Sequence, residues 1–137
     1  MGPGSPDASE VAAAAGRWRL MKHDKMRPCK ECPFAGRMPG WIGAHKDAAE
    51  FVDMARNDSI MPCHMSIDYE RRGWRDRVDK AQVCVGELAY MNRLFKLSRT
   101  REVAAHQKRL SKRIKVVWPP EKLIALHNDA RAQKGLR

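Results

Sequence analysis

No stretch of this sequence approaches the run of about 18 consecutive apolar residues that a membrane-spanning helix needs. No basic segment followed by a long apolar one opens the chain, so a secretory leader is not expected and a cytoplasmic setting is. No period recurs along the chain, which excludes coiled-coil, collagen and solenoid architectures. No run of alternating β-branched residues exceeds four positions, so strands are not expected. Large core formers are also scarce. The apolar fraction is 43%, yet 17 of the 137 residues are alanine and only 7% are aromatic. A core so thinly supplied favours stabilisation from another source, such as ligation of a metal. Catalytic signatures are missing as well. GxSxG, HExxH, a P-loop and GxGxxG do not occur. The deaminase order HxE then PCxxC fails because Pro28-Cys29-x2-Cys32 has no HxE before it. Glu50, Asp53, Asp68 and Glu87 form no recognisable nuclease spacing. The sequence reads as a binding protein rather than an enzyme.

Four cysteines are present, and with no secretory leader they argue against a disulfide framework. Cys29 and Cys32 form a CxxC knuckle, in which one tight turn aims two sulfurs at one ion. Cys63 and Cys84 follow singly. Pro28, Pro33 and Pro62 stiffen the chain beside three of these four, lowering the ordering cost of closing a site. Cys84 is expected in the first turn of a helix, where the helix dipole favours a thiolate. The set Cys29, Cys32, Cys63 and Cys84 therefore reads as one metal centre. Four thiolates suit zinc and a [4Fe-4S] cluster about equally. His64, next to Cys63, is either an alternative ligand or a hydrogen-bonding neighbour of one.

The segments Arg27-Pro28-Cys29-x2-Cys32-Pro33-Phe34, Pro62-Cys63-His64 and Cys84-Val85-Gly86 resemble a pattern found in small four-cysteine proteins of phages and actinobacteria, the DUF6283-type group. The resemblance spans roughly residues 27–97. It implies a shared four-cysteine metal site and a phage origin, with the host cytoplasm as the setting. It brings no activity, and the basic C-terminal region lies outside it.

Charge is unevenly placed. The chain carries a net +11, with a pI near 10.0. Residues 1–70 are net −1 and residues 71–137 net +12. The densest stretch holds Arg93, Lys96, Arg99, Arg101, Lys108, Arg109, Lys112, Arg113 and Lys115 against one acid, Glu102. Such a cluster suits phosphates, so the expected partner is nucleic acid or a nucleic-acid-bound protein machine, and not a membrane. Trp41, Trp74 and Trp118 are candidates to stack on bases.

The expected architecture is mostly α: a small helical domain organised around the cysteine site, with irregular Pro/Gly-rich loops. Residues 1–8 read as a disordered tail, 9–97 as a metal-binding helical domain, and 98–137 as a basic helical extension packed on it. Helices are expected from Ser9 to Met21, after an Asp47 cap to about Asn57-Asp58, from about Ala81 through Phe95, over 100–117, and after Pro119-Pro120. Residues 66–80 read as an exposed excursion. In the 100–117 helix, Val103, Leu110, Ile114 and Val117 would form one face and Arg101, Lys108, Lys112 and Lys115 the opposite one. The function these features suggest is a small, regulatory, metal-binding and nucleic-acid-associated protein, its metal structural or redox-sensing. The alternatives are a phage-type protein that grips a transcription or replication component, and an iron–sulfur enzyme acting on nucleic acid.

Overall fold

The computed structural model describes residues 26–42, 47–63 and 82–135. The expected tail at 1–8, the helix from Ser9 to Met21, the excursion at 66–80, His64 and Trp74 lie outside those residues. The described part is helical, with no strand beyond one isolated antiparallel bridge between Pro62 and Val83. Four α-helices appear: α1 (Ala48–Arg56), α2 (Val85–Arg93), α3 (Arg101–Arg109) and α4 (Pro120–Gln133). A single 3-10 turn, Pro33–Ala35, precedes them.

Helix α1 forms as its sequence predicts. Asp47 caps it by accepting the Ala49 N–H at 2.9 Å, and Ala48, Phe51, Val52 and Ala55 are buried along one face. Asn128 of α4 joins this cap. Its side chain accepts the Ala48 N–H at 3.1 Å and donates to Asp47 at 3.1 Å. The Ala49 N–H first, and Asn128 second, hold the Asp47 carboxyl below its ordinary value. The helix closes in a Schellman turn: Ser59 N–H reaches Met54 O at 2.9 Å, with Asp58 in the left-handed region at φ 57°.

Helix α2 is central rather than amphipathic. Every residue from Val85 to Met91 is buried, because the 3-10 turn, α1 and α3 all pack against it. An aromatic chain threads the core. Phe34 stacks on Phe51 at 4.4 Å, Tyr90 lies 5.3 Å from Phe34, and Trp118 lies 5.5 Å from Tyr90. Four rings from four separate segments thus supply the bulk that the alanine-rich composition lacks, each contact adding about 0.5–1.5 kcal/mol beyond area burial.

Two expectations about the helices are corrected. The first concerns the helix expected from about Ala81 through Phe95, which begins only at Val85. The helix ends at Arg93, and Phe95 is 98% exposed at φ 57°. Phe95 N–H bonds Asn92 O at 3.1 Å and Lys96 N–H bonds Met91 O at 2.8 Å, a second Schellman turn. The second concerns the helix over 100–117, which stops at Arg109. Leu110 is extended, and a turn follows in which Ser111 Oγ accepts the Arg113 N–H at 3.1 Å. A serine hydroxyl that bonds nearby backbone competes with helix, and the β-branched residues Ile114, Val116 and Val117 favour an extended chain. Val117 N–H bonds Phe34 O at 2.9 Å, which ties that extended chain to the 3-10 turn. Val103 and Leu110 are buried as expected, but Ile114 and Val117 reach the core from the extended segment, not from a helix face.

Helix α4 opens at the double proline as predicted and packs on α1. One contiguous core joins Phe34, Val52, Leu88 and Tyr90 with Val103, Leu110 and Leu123. Residues from both sides of position 98 therefore share a single interior.

Candidate functional site

The cysteine loop is gripped from two sides. Its CxxC turn closes with Cys32 N–H to Cys29 O at 3.2 Å, and Gly36, in the left-handed region at φ 77°, turns the chain out of the 3-10 turn. A side chain at Gly36 would also strike Val117. Arg37 folds back to donate to Cys29 O at 2.7 Å. From α4, His127 Nδ1 accepts the Gly40 N–H at 3.0 Å while His127 Nε2 lies 2.9 Å from Pro33 O. Since Nδ1 is the acceptor, the proton sits on Nε2 and is donated to Pro33. Arg131 and Lys134 hold the Gly40 and Pro39 carbonyls.

The other two cysteines are brought together by the Pro62–Val83 bridge. Cys63 N–H bonds Gln82 O at 2.7 Å, and Cys84 N–H bonds Met61 O at 2.9 Å. Cys84 is the N-cap of α2, one position before the first turn where it was expected. The four thiols meet as two hydrogen-bonded pairs, Cys29 with Cys63 and Cys32 with Cys84. Backbone N–H groups also point at sulfur: Glu31 toward Cys29, Phe34 and Ala35 toward Cys32, and Glu87 toward Cys84. The Cys32 thiol is lowered, chiefly because Cys84 donates to it, whereas Cys84 is raised by the same bond and by burial. Burial pushes Cys29 up to about 11. Gly86 lines this centre so closely that an added Cβ would overlap the Cys32 sulfur. Among the described residues, no group of three or more His, Cys, Asp or Glu side chains stands ready-arranged around one ion.

Glu87 belongs to the frame of the site. It is fully buried, its Oε1 accepts the Met61 N–H at 2.7 Å, and its Oε2 has no partner among the described residues. Burial raises its carboxyl to about 8, against the opposing pull of the Met61 N–H. Its role is to fix the Met61–Cys63 segment against α2. Glu87→Gln keeps an acceptor for Met61 and should change stability by no more than about 1 kcal/mol in urea denaturation at neutral pH. Glu87→Ala orphans that amide and should cost about 1–3 kcal/mol from this loss alone. Sequence reasoning missed both Glu87 and His127 as site-building residues. A lone buried acid or histidine in a helix leaves no local pattern to read.

The basic residues lie between Arg93 and Lys115, away from the cysteines in the sequence. Arg93, Arg99, Arg101, Lys108, Arg109, Lys112, Arg113 and Lys115 are exposed and Lys96 is half-buried. Among the described residues, none of the nine is held in a salt bridge. They do not form the helical stripe first expected, since Lys112, Arg113 and Lys115 follow the end of α3. Three of them, Arg93, Lys108 and Lys112, line a groove of about 730 Å³ between the end of α2, α3 and the 110–118 segment. Trp118 lies in this groove with the Arg93 guanidinium 4.9 Å from its ring centre. Trp41 sits apart, beside Met38 and Arg131.

Comparison with family models, with curated proteins and with solved structures finds no match to this chain. No helix among the described residues is long and apolar enough to cross a membrane.

Proposed function

We propose that this protein is a small nucleic-acid-associated binding protein in which Cys29, Cys32, Cys63 and Cys84 hold one structural zinc ion. The observation that carries the nucleic-acid reading is the unneutralised cationic face. Nine basic side chains lie between Arg93 and Lys115, eight of them exposed, with no ion-pair partner among the described residues, and Arg93, Lys108 and Lys112 line one groove. Unpaired cations on one face are what a phosphate chain binds, through release of its condensed counterions.

The donor set supports the metal. Two thiol pairs, Cys29 with Cys63 and Cys32 with Cys84, each flanked by backbone N–H groups aimed at sulfur, match what thiolates require. Thiol-to-thiol contact favours a single ion over a cluster. Four sulfurs at about 2.3 Å from one zinc stand about 3.8 Å apart, whereas a cubane interposes iron and sulfide between them. Bound zinc would join the two thiol pairs, so that the loop at 29–36, the segment at 61–63 and the start of α2 are held as one unit.

Retention on heparin and binding to DNA, each measured against salt, test the first half. The triple variant Lys108→Glu, Lys112→Glu, Lys115→Glu should weaken DNA binding at least ten-fold and flatten the salt slope by about 3. Unchanged affinity and slope would remove the cationic face from the function. Elemental analysis after anaerobic purification tests the second half, with about one zinc per chain expected. Iron with sulfide would replace zinc by a cluster and make the centre redox-active. Absence of any metal would leave the four thiols without this role.

A further inference from the structure

We infer that the groove beside α3 takes the base of a single-stranded nucleic acid, stacked between Phe95 and Trp118, with its flanking phosphates on Arg93, Lys108 and Lys112. This rests on the nucleic-acid reading above and narrows it from a charged face to a strand with unpaired bases.

The first observation is Phe95. It is a large aromatic that is 98% exposed, so the fold gains almost nothing from it. It also occupies the left-handed position of a Schellman turn, at φ 57°, where glycine is the usual residue. The equivalent turn after α1 uses Asp58, a residue type that tolerates this conformation and whose carboxylate accepts the Arg99 N–H at 2.7 Å. Phe95 makes no such repayment inside the fold. An aromatic kept at a position costly to its backbone and exposed to water is accounted for by something outside the chain.

The second observation is what surrounds it. The groove is lined by Phe95, Trp118 and three cations, and none of the described acidic side chains lines it. Its volume of about 730 Å³ lies within the range of small-ligand sites. Two aromatic faces with flanking positive charge are what single-strand binders use: bases stack on the rings and the backbone tracks the cations. A duplex offers no unstacked base to such a groove.

The third observation predicts selectivity. The amides that could read a base edge are already engaged. Gln107 donates to Asn92 Oδ1 at 3.2 Å and to Lys96 O at 2.9 Å, and accepts the Ser98 N–H at 2.8 Å. Asn92 donates in turn to Gln107 O at 3.1 Å, and Ser111 accepts from Arg113. Stacking and charge remain, so binding should be tolerant of sequence.

Fluorescence anisotropy with labelled oligothymidylate and oligouridylate of about 15 nucleotides, and with a duplex of equal length, tests this. Both single strands should bind more tightly than the duplex. Equal affinity for the two assigns the site to single strands generally, and a gap between them assigns it to DNA or RNA. Phe95→Gly should weaken single-strand binding about ten-fold or more and barely alter duplex binding. It should leave the melting temperature unchanged or raised, because glycine relieves the left-handed strain. Single-strand binding by Phe95→Gly equal to the parent would overturn the inference, as would a duplex preference in the parent. A parent that sediments as a dimer and becomes a monomer on Phe95→Gly would overturn it too, assigning Phe95 to a second copy. Failure of the parent to bind either form at low salt would instead refute the nucleic-acid reading itself.

Discussion

Gly86→Ala is expected to destabilise the protein by about 1–3 kcal/mol and, if the proposed zinc is bound, to strip it as completely as Cys32→Ser does. Ordinary helix propensity argues the opposite sign, since alanine in place of glycine stabilises a helix by up to about 1 kcal/mol. The neighbourhood of Gly86 decides against propensity. Gly86 is buried in the first turn of α2, an added Cβ would overlap the Cys32 sulfur, and it would lie 3.3 Å from the Phe34 Cβ. Cys32 cannot retreat cheaply, because its sulfur accepts from the backbone at Phe34 and Ala35 and pairs with Cys84. Phe34 cannot retreat either, being wedged between Phe51 and Tyr90. Denaturant midpoints and zinc content per chain check both parts. A more stable variant that retains zinc would show that the close approach of α2 to the CxxC turn is not a feature of this fold.

The second large effect centres on His127, the clamp between α4 and the cysteine loop. His127→Leu leaves the Gly40 N–H and the Pro33 carbonyl without partners in the interior, at about 1–3 kcal/mol each, so a loss of about 2–5 kcal/mol is expected. A pH effect accompanies it. Burial lowers the His127 pKa, with the Pro33 carbonyl opposing. Protonation would also set a second ring N–H against the Gly40 N–H. On acidification the unfolded chain therefore takes up a proton, near its ordinary value of about 6.5, before the folded chain does. The stability contributed by neutral His127 is complete above that value. It falls as the pH drops below it, by at most about 1.4 kcal/mol per unit, until the folded-state pKa is reached. His127→Gln carries no titrating group. Urea midpoints at pH 8 and pH 5 should show a smaller acid loss for this variant than for the parent, and equal losses would refute the assignment. The other histidines are common to both proteins and cancel in the comparison.

Local signals were legible wherever one residue type dictates backbone behaviour. Asp47 ahead of Ala48, Phe51, Val52 and Ala55 announced α1 almost to its ends, because a cap and a 3.6-residue spacing are properties of neighbours in the chain. Pro119-Pro120 announced the start of α4 for the same reason. The Pro/Gly-rich stretch from 27 announced irregular chain, and it contains only the short 3-10 turn among its described residues. The helix over 100–117 was over-extended because its periodicity continues past Arg109, whereas the Ser111 turn and the bond from Val117 to Phe34 end it.

Composition, charge and local pattern, then, determined the helical class, the position of most helix starts, the four sulfur residues and the basic stretch. These are read from identity and from neighbours within a few residues. Tertiary structure alone decided that Cys29 meets Cys63 while Cys32 meets Cys84, that α2 is buried from Val85 to Met91, that Gly86 rather than a larger residue borders Cys32, and that Phe95 faces water in the groove that Trp118 also lines. Each of these depends on segments far apart in the chain. His127 lies 94 positions from the carbonyl it holds, and no window along the sequence contains both. Packing selects such partners by shape and by the need of every buried polar group for a bond, and that selection is made only when the chain has closed on itself.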